Sequence, residues 1–203
     1  KFLLFSYIMI KTIIFDFGDV LIEDRVDKFE KIRGLFKLPK TDQKKYFNIL
    51  HQSETGKKTT EDFLKITKKL LAPKFSLKQI ENYILNAEIL PPYKLLNKLK
   101  KYYRILILSN NQKNWPQKFA KETKINLKGI PFINSVKVSM RKPDLKIYQY
   151  AIKKYKLKPK ETVFIDDQKK NLIPAKKLGI KTILYQQNIY NLRLKLKKLG
   201  IKF

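Results

Sequence analysis

The sequence predicts an α/β protein built on a doubly wound, parallel β-sheet, and three observations predict it. Short apolar, β-branched runs recur near residues 12–15, 104–108, 162–165 and 181–185, each with the length and composition of a buried strand. Stretches of helical periodicity separate them, and that alternation calls for parallel strands joined by crossover helices. The 203-residue chain fits one ordinary domain with a modest insertion, and 43% hydrophobic with 31% charged residues is the profile of a chain that buries a core.

Residues 1–8 are apolar behind Lys1 and resemble a weak signal-peptide core, but they lack a small-residue cleavage site, and Lys11 interrupts the apolar pattern. The run is too short to span a membrane. It is expected to be an extension with no assigned function, with Met9 the natural start, and no membrane span is expected elsewhere.

The first strand ends abruptly on Asp16, followed by Phe17, Gly18 and Asp19, where glycine is expected to permit a turn. Helical periodicity follows, with Phe29, Ile32 and Phe36 on one side and Tyr46, Phe47 and Leu50 continuing the pattern. Residues 51–57 are polar and read as a loop. Thr59 to Asp62 reads as a helix start ahead of Phe63, Leu64, Ile66 and Leu70, and a further helix is expected from Ser76 to Asn86. Residues 25–89 thus form an all-helical insertion after the first strand, and Pro91–Pro92 mark its exit. The remainder, 9–24 with 90–203, forms the α/β core.

A helix carrying Leu95, Leu96 and Leu99 precedes the strand that ends in Ser109–Asn110. A lysine-rich helix surrounds Phe119, and short strand candidates lie at 132–133 and 136–138. Met140 to Asp144 opens a helix bearing Ile147, Tyr148, Ala151 and Ile152. The strand at 162–165 delivers Asp166–Asp167, its helix is stopped by Gly179, and the last strand ends at Tyr185. The tail places Leu192, Leu196 and Leu199 on one stripe, expected to lie on the sheet rather than on a membrane surface.

The chain has no cysteine, which excludes disulfides, thiolate metal sites and thiol catalysis. Its net charge of +29 is nearly all lysine, with five arginines, and is spread along the whole chain. Readers of nucleic acid concentrate charge in a patch and lean on arginine, so no specific nucleic-acid partner is expected.

Four polar groups stand at the carboxyl ends of predicted segments: Asp16, Ser109–Asn110, Lys142 and Asp166–Asp167. In an open parallel sheet those ends line one crevice. The set is chemically coherent, since a carboxylate can act as nucleophile, a hydroxyl and a lysine can hold a phosphoryl group, and paired aspartates can bind Mg²⁺.

In this order the motifs resemble the haloacid dehalogenase-like hydrolase superfamily, with its Rossmann-like core, over residues 12–185. FDFGDV, LSN, SMRKPDLKIYQ and TVFIDDQKKNLIPAKKLGI resemble, more narrowly, a bacterial branch that includes α-D-glucose-1-phosphate phosphatases. The resemblance implies that 25–89 is a helical cap covering the site. It implies Asp16 as nucleophile and Mg²⁺ ligand, the Gly18 carbonyl and Asp166 as further ligands, and Asp167 as a neighbouring or water-mediated one. Ser109 and Asn110 would bind phosphoryl oxygens, Lys142 would neutralise charge shared by nucleophile and phosphate, and Asn171 would support the metal shell.

Most phosphatases of this superfamily carry a second aspartate two residues after the nucleophile, and that position here is Gly18. Asp19 is one residue too far along, while Glu54 or a metal-bound water could take the role. His51 reads as an ordinary cap residue. The expected activity is Mg²⁺-dependent hydrolysis of a small phosphomonoester, with a sugar phosphate as the candidate substrate, in the cytoplasm. The alternatives are a metal-independent 2-haloacid dehalogenase or a non-catalytic phosphate-binding homologue.

Overall fold

The structure, a computed structural model, describes residues 9–203, so the expected N-terminal extension at 1–8 lies outside the described residues. Five strands form one sheet: β1 (Thr12–Phe15), β2 (Arg104–Ser109), β3 (Phe132–Asn134), β4 (Thr162–Asp166) and β5 (Lys181–Leu184). Their order is β3-β2-β1-β4-β5 and every neighbouring pair is parallel. The winding reverses beside β1, where a crevice opens outside the carboxyl ends of the strands. Phe15 pairs with Ile107 on one side and Ile165 on the other, so the next residue, Asp16, emerges beside Asp166.

Alternation along the strands feeds two cores. Ile13, Phe15, Ile105, Ile107, Val163 and Ile165 enter one, whereas Ile14, Leu106, Leu108 and Phe164 enter the other. Each such side chain taken fully out of water contributes about 1.5–3 kcal/mol. Burial on both faces is why these runs are continuously apolar in sequence.

Between β1 and β2 the chain first builds α1 (Arg25–Ile32), α2 (Lys40–Ser53), α3 (Thr60–Leu71) and α4 (Leu77–Leu85). Their starts are fixed by side-chain caps. Asp24 accepts the amides of Val26 and Asp27, while Thr59 with Asp62 and Ser76 with Gln79 form reciprocal capping boxes. The chain leaves and re-enters the sheet domain side by side: Glu23 N donates to Glu88 O at 2.8 Å, and Leu90 N to Leu21 O at 2.9 Å.

The remaining helices are α5 (Pro91–Leu99), α6 (Trp115–Thr123), α7 (Ser135–Val138), α8 (Leu145–Tyr155), α9 (Lys169–Lys177) and α10 (Ile189–Lys198). Ile147, Tyr148, Ala151, Leu172 and Ala175 of α8 and α9 cover one face of the sheet. Leu95, Leu96, Phe119, Leu192 and Leu196 of α5, α6 and α10 join the core on the other. The tail therefore lays its leucine stripe on the protein's own core. Among the described residues no helix is long and apolar enough to cross a membrane.

Several local expectations are corrected. The strand candidate at 136–138 is the short helix α7, because the Asn134 side chain accepts the Val136 amide and starts a helical turn. His51 to Ser53 belong to α2 rather than to a loop; Ser53 is buried because its hydroxyl bonds both within α2 and across to Gln112. Ile32 and Phe36 are 64% and 54% exposed, and the residues that turn inward are Phe29 and Leu35, because the helix breaks at Arg33–Gly34. Pro91 and Pro92 are the first residues of α5, positions that need no amide donor. The left-handed residue after the first strand is Asp19, at φ 51°, and not Gly18.

Candidate active site

At the carboxyl edge of the sheet, Lys142 lies 2% exposed between two carboxylates. Its Nζ is 2.7 Å from Asp16 Oδ1 and 2.7 Å from Asp166 Oδ2. Asp16 is held from its own backbone side as well, since Oδ1 accepts the Phe17 amide at 2.6 Å and the Asp16 amide donates to Ile165 O at 2.9 Å. Asp166 Oδ1 accepts from the Gln168 amide at 2.8 Å and from Asn171 Nδ2 at 3.0 Å. Asn171 is braced in turn by the Tyr148 hydroxyl, which donates to its carbonyl at 2.7 Å.

Asn110 grips Lys142 by its backbone: Nδ2 donates to the Lys142 carbonyl at 2.9 Å, and Oδ1 accepts the Lys142 amide at 2.8 Å. Both ends of that side chain are thereby committed to placing the lysine. Ser109, 1% exposed, ends β2 and lines the same cavity as Asp16, Gly18, Lys142 and Asp167. The sequence-predicted residues from four distant stretches thus converge.

The donor set fits a hard divalent cation. Oxygen atoms from Asp16, Asp166 and Asp167 lie within 4.8 Å of one another, and the buried Asp167 Oδ1 has no hydrogen-bond partner among the described residues. Three clustered carboxylates facing one lysine leave an excess of negative charge that oxygen-seeking Mg²⁺ would neutralise. Burial pushes the Asp16 carboxyl well above the usual range, and Asp166 and Asp167 push the same way against Lys142. Burial and Asp166 raise Asp167 to about 7. Burial opposes the charge on Lys142, yet Asp16 and Asp166 hold its pKa above the ordinary value.

The inserted helices close the other side of a cavity of about 660 Å³. Arg141 pairs with Glu54 at 2.8 Å, Gln112 Nε2 donates to Ser53 Oγ at 2.9 Å, and Trp115 Nε1 donates to Glu81 at 3.0 Å. Glu54, a candidate proton donor from the sequence, is therefore tied to a guanidinium. His51 lines the cavity, and burial, Arg141 and Lys170 lower its pKa to about 4, so it is neutral at pH 7. Asp19 is occupied by the Asp24 amide, which donates to Oδ1 at 2.9 Å.

Two residues of consequence carried no signal in the sequence. Asp24 caps α1 through Oδ1, and its Oδ2 stands over Gly18, 3.2 Å from where a side chain at 18 would begin. Its pKa is about 6, raised by burial and by Asp19. Glu30 lies on α1 and is 4% exposed, with the Tyr46 hydroxyl beside its carboxyl.

Burial raises Glu30 from 4.5 to about 8. Because the folded carboxyl holds its proton more tightly than the unfolded one, the stability it contributes is complete below about pH 4.5 and is lost as pH rises toward about 8. By pH 7 the loss is on the order of 3 kcal/mol. Glu30→Gln is expected to match the native protein in urea unfolding near pH 4.5 and to exceed it near pH 8. Equal stability at both pH values would show that the carboxylate carries no burial penalty.

Comparison with known proteins agrees with this geometry. The family model for haloacid dehalogenase-like hydrolases matches residues 10–179. D-ribitol-5-phosphate phosphatase of Bacteroides thetaiotaomicron is 26% identical over 190 residues, covering 86% of this chain and 91% of that protein. A haloacid dehalogenase family enzyme of the same organism, solved with magnesium and inorganic phosphate, has a TM-score of 0.70 at 27% identity, over 90% of this chain and 98% of that one. The rat bifunctional epoxide hydrolase 2 is 41% identical over 71 residues, 35% of this chain and 13% of that protein. The chain belongs to the haloacid dehalogenase-like hydrolase family.

Proposed function

We propose that this protein is a Mg²⁺-dependent phosphatase that hydrolyses a small phosphomonoester through an aspartyl-phosphate on Asp16. The observation that carries the proposal is the buried Lys142 bridging Asp16 and Asp166, with Asp167 beside them. A site with that much fixed charge suits phosphoryl transfer, where catalysis is mostly positioning and charge stabilisation. Asp166–Asp167 would have little use in a dehalogenase, because clustering buried acids without a cation is costly.

Asp16, the Gly18 carbonyl, Asp166 and Asp167 would hold Mg²⁺, which when bound supplies positive charge to the phosphoryl oxygens. Lys142 favours the ionised form of Asp16 against the burial that opposes it, and screens that carboxylate from the incoming phosphate. Asp16 attacks phosphorus while the bond to the leaving alcohol breaks. Ser109 donates to a phosphoryl oxygen, and Asn110 contributes by holding Lys142. Residues 25–89 act as the cap that encloses the leaving group.

Asp24 supplies the proton. Its Oδ2 fills the space over Gly18 from which the family's second aspartate would project, so an acid from α1's start replaces the one missing from the loop. It protonates the departing oxygen, then takes a proton from the water that cleaves the aspartyl-phosphate, releasing phosphate and restoring Asp16. Asp24→Asn keeps the helix cap, since asparagine caps equally well. Melting temperature is expected to hold while kcat falls about 10²–10⁴-fold. Unchanged kcat would remove Asp24 from the chemistry.

The substrate class is proposed to be sugar or polyol phosphates, supported by the similarity to a ribitol-phosphate phosphatase. A panel of such esters, assayed for inorganic phosphate release with Mg²⁺ and with chelator, is expected to show metal-dependent turnover. No release from any ester would overturn the phosphatase reading.

A further inference from the structure

The cavity inverts the charge of the protein around it. Across the chain bases outnumber acids by 46 to 17, so 27 lining residues drawn at that composition would bring about six bases and two acids. The lining instead contains eight acids and three bases. Asp16 and Asp167 belong to the metal and phosphate end. The excess lies at the other end, against α1, where Asp19, Asp24 and Glu30 have no salt bridge among the described residues.

These groups sense one another. Burial raises Asp24 and Asp19 adds to it, and burial raises Glu30 against the Tyr46 hydroxyl, with Asp24, Asp27 and Glu54 adding to it. One buried acceptor lining the cavity lacks a partner among the described residues, Gln112 Oε1, on a residue 2% exposed, while Glu30, 4% exposed, has the Tyr46 hydroxyl beside it. A buried acceptor left without a donor is costly, so the pocket favours a ligand that brings hydrogen-bond donors. The same end is aromatic: Phe36 and Phe47 line it with ring centroids 6.4 Å apart, and Phe36 is 54% exposed. Clustered carboxylates with bare aromatic faces are the chemistry that recognises an ammonium group.

A phosphate dianion entering this cavity brings more negative charge, and of the three lining bases Lys142 and Arg141 are already paired. A leaving group with its own positive charge resolves the conflict, because a cation beside Glu30 favours ionisation of a carboxyl that burial otherwise keeps protonated up to about pH 8. We propose that the preferred substrate is a phosphomonoester whose alcohol carries an amine, seated with its ammonium against the acidic wall that carries Asp19 and Glu30. This rests on the phosphatase reading above and narrows its substrate class to amino-sugar or amino-alcohol phosphates. Lysine-rich surface elsewhere attracts the phosphate end from a distance, and the acidic wall orients the molecule on arrival.

The test uses pairs that differ at one atom group: glucosamine 6-phosphate against glucose 6-phosphate, and 2-aminoethyl phosphate against 2-hydroxyethyl phosphate. In the native protein with Mg²⁺, kcat/KM is expected to favour the amine about tenfold in at least one pair, the scale of one partly buried ion pair. Binding to the Asp16→Asn protein, measured by calorimetry at Mg²⁺ concentrations that saturate this weaker site, reads the same preference without turnover. The preference is expected to shrink at least several-fold in Glu30→Gln, an isosteric change that relieves a burial penalty, and to weaken with added salt. Equal or reversed preference in both pairs, no binding of either partner, or a preference untouched by Glu30→Gln overturns the proposal. Amine preference in binding with no hydrolysis of any ester would uphold the ammonium subsite and sink the phosphatase reading instead.

Discussion

Asp16→Asn is expected to lower phosphomonoester turnover by at least about 10³-fold, to the level of the uncatalysed background in an ordinary assay. The amide keeps the size of the carboxylate and the bond from the Phe17 amide, so the fold stays intact. It cannot form the acyl-phosphate, because a neutral amide is a poor nucleophile and its departure would leave the wrong product. It also removes one of three clustered carboxylates, so Mg²⁺ affinity is expected to fall together with kcat. Rapid-quench trapping of phosphorylated protein in the native chain, absent in the variant, separates the nucleophile from a mere metal ligand. Persistent turnover in Asp16→Asn would remove the covalent mechanism altogether.

Lys142→Met is expected to damage both activity and stability. The lysine is 2% exposed and bonds carboxylates that are themselves 9% and 0% exposed, so methionine fills the volume but leaves two buried acids without a counter-charge. Breaking a buried pair from one side costs about 3–5 kcal/mol, which for a chain of this length is a fall in melting temperature of roughly 10 °C. Loss of the positive group facing the phosphoryl oxygens is expected to lower kcat a further 10²–10³-fold, about the effect of removing one transition-state donor. Added Mg²⁺ is expected to raise the variant's melting temperature more than the native protein's, because a cation binds more strongly where the competing lysine is gone. A variant as stable as the native chain without metal would mean that Lys142 does not sustain the cluster.

The two variants separate roles that the sequence lumps together. Asp16 and Lys142 were both legible as chemistry, since each ends or follows a strand-like run and polar groups at those positions converge in a parallel sheet. How they share charge was not legible. The bond from Lys142 to Asp166, the commitment of Asn110 to the Lys142 backbone, and the bracing of Asn171 by Tyr148 all join residues from different elements. A residue type and its spacing do not encode such partners.

The inserted helices show the same division. Capping boxes at Thr59 and Ser76 are local, so the starts of α3 and α4 were readable. The inward face was misread at Ile32, in α1, and at Phe36, in the turn that follows it, because a left-handed residue at Gly34 resets the helical phase between them. Glu30 was invisible for a different reason: an acid on a short amphipathic helix ordinarily faces water, and here it lines the cavity that holds Asp16 and Lys142.

By itself the sequence determined the α/β class, the strand runs and the four polar groups that mark the site, because these depend on apolar periodicity and on where a run ends. Tertiary structure alone decided what stands over Gly18. No local rule predicts that the Asp24 cap would turn its second oxygen into the space of a missing side chain. That placement follows from the packing of α1 against the loop, a contact between residues too close in sequence to look distant and too far apart to follow from backbone geometry.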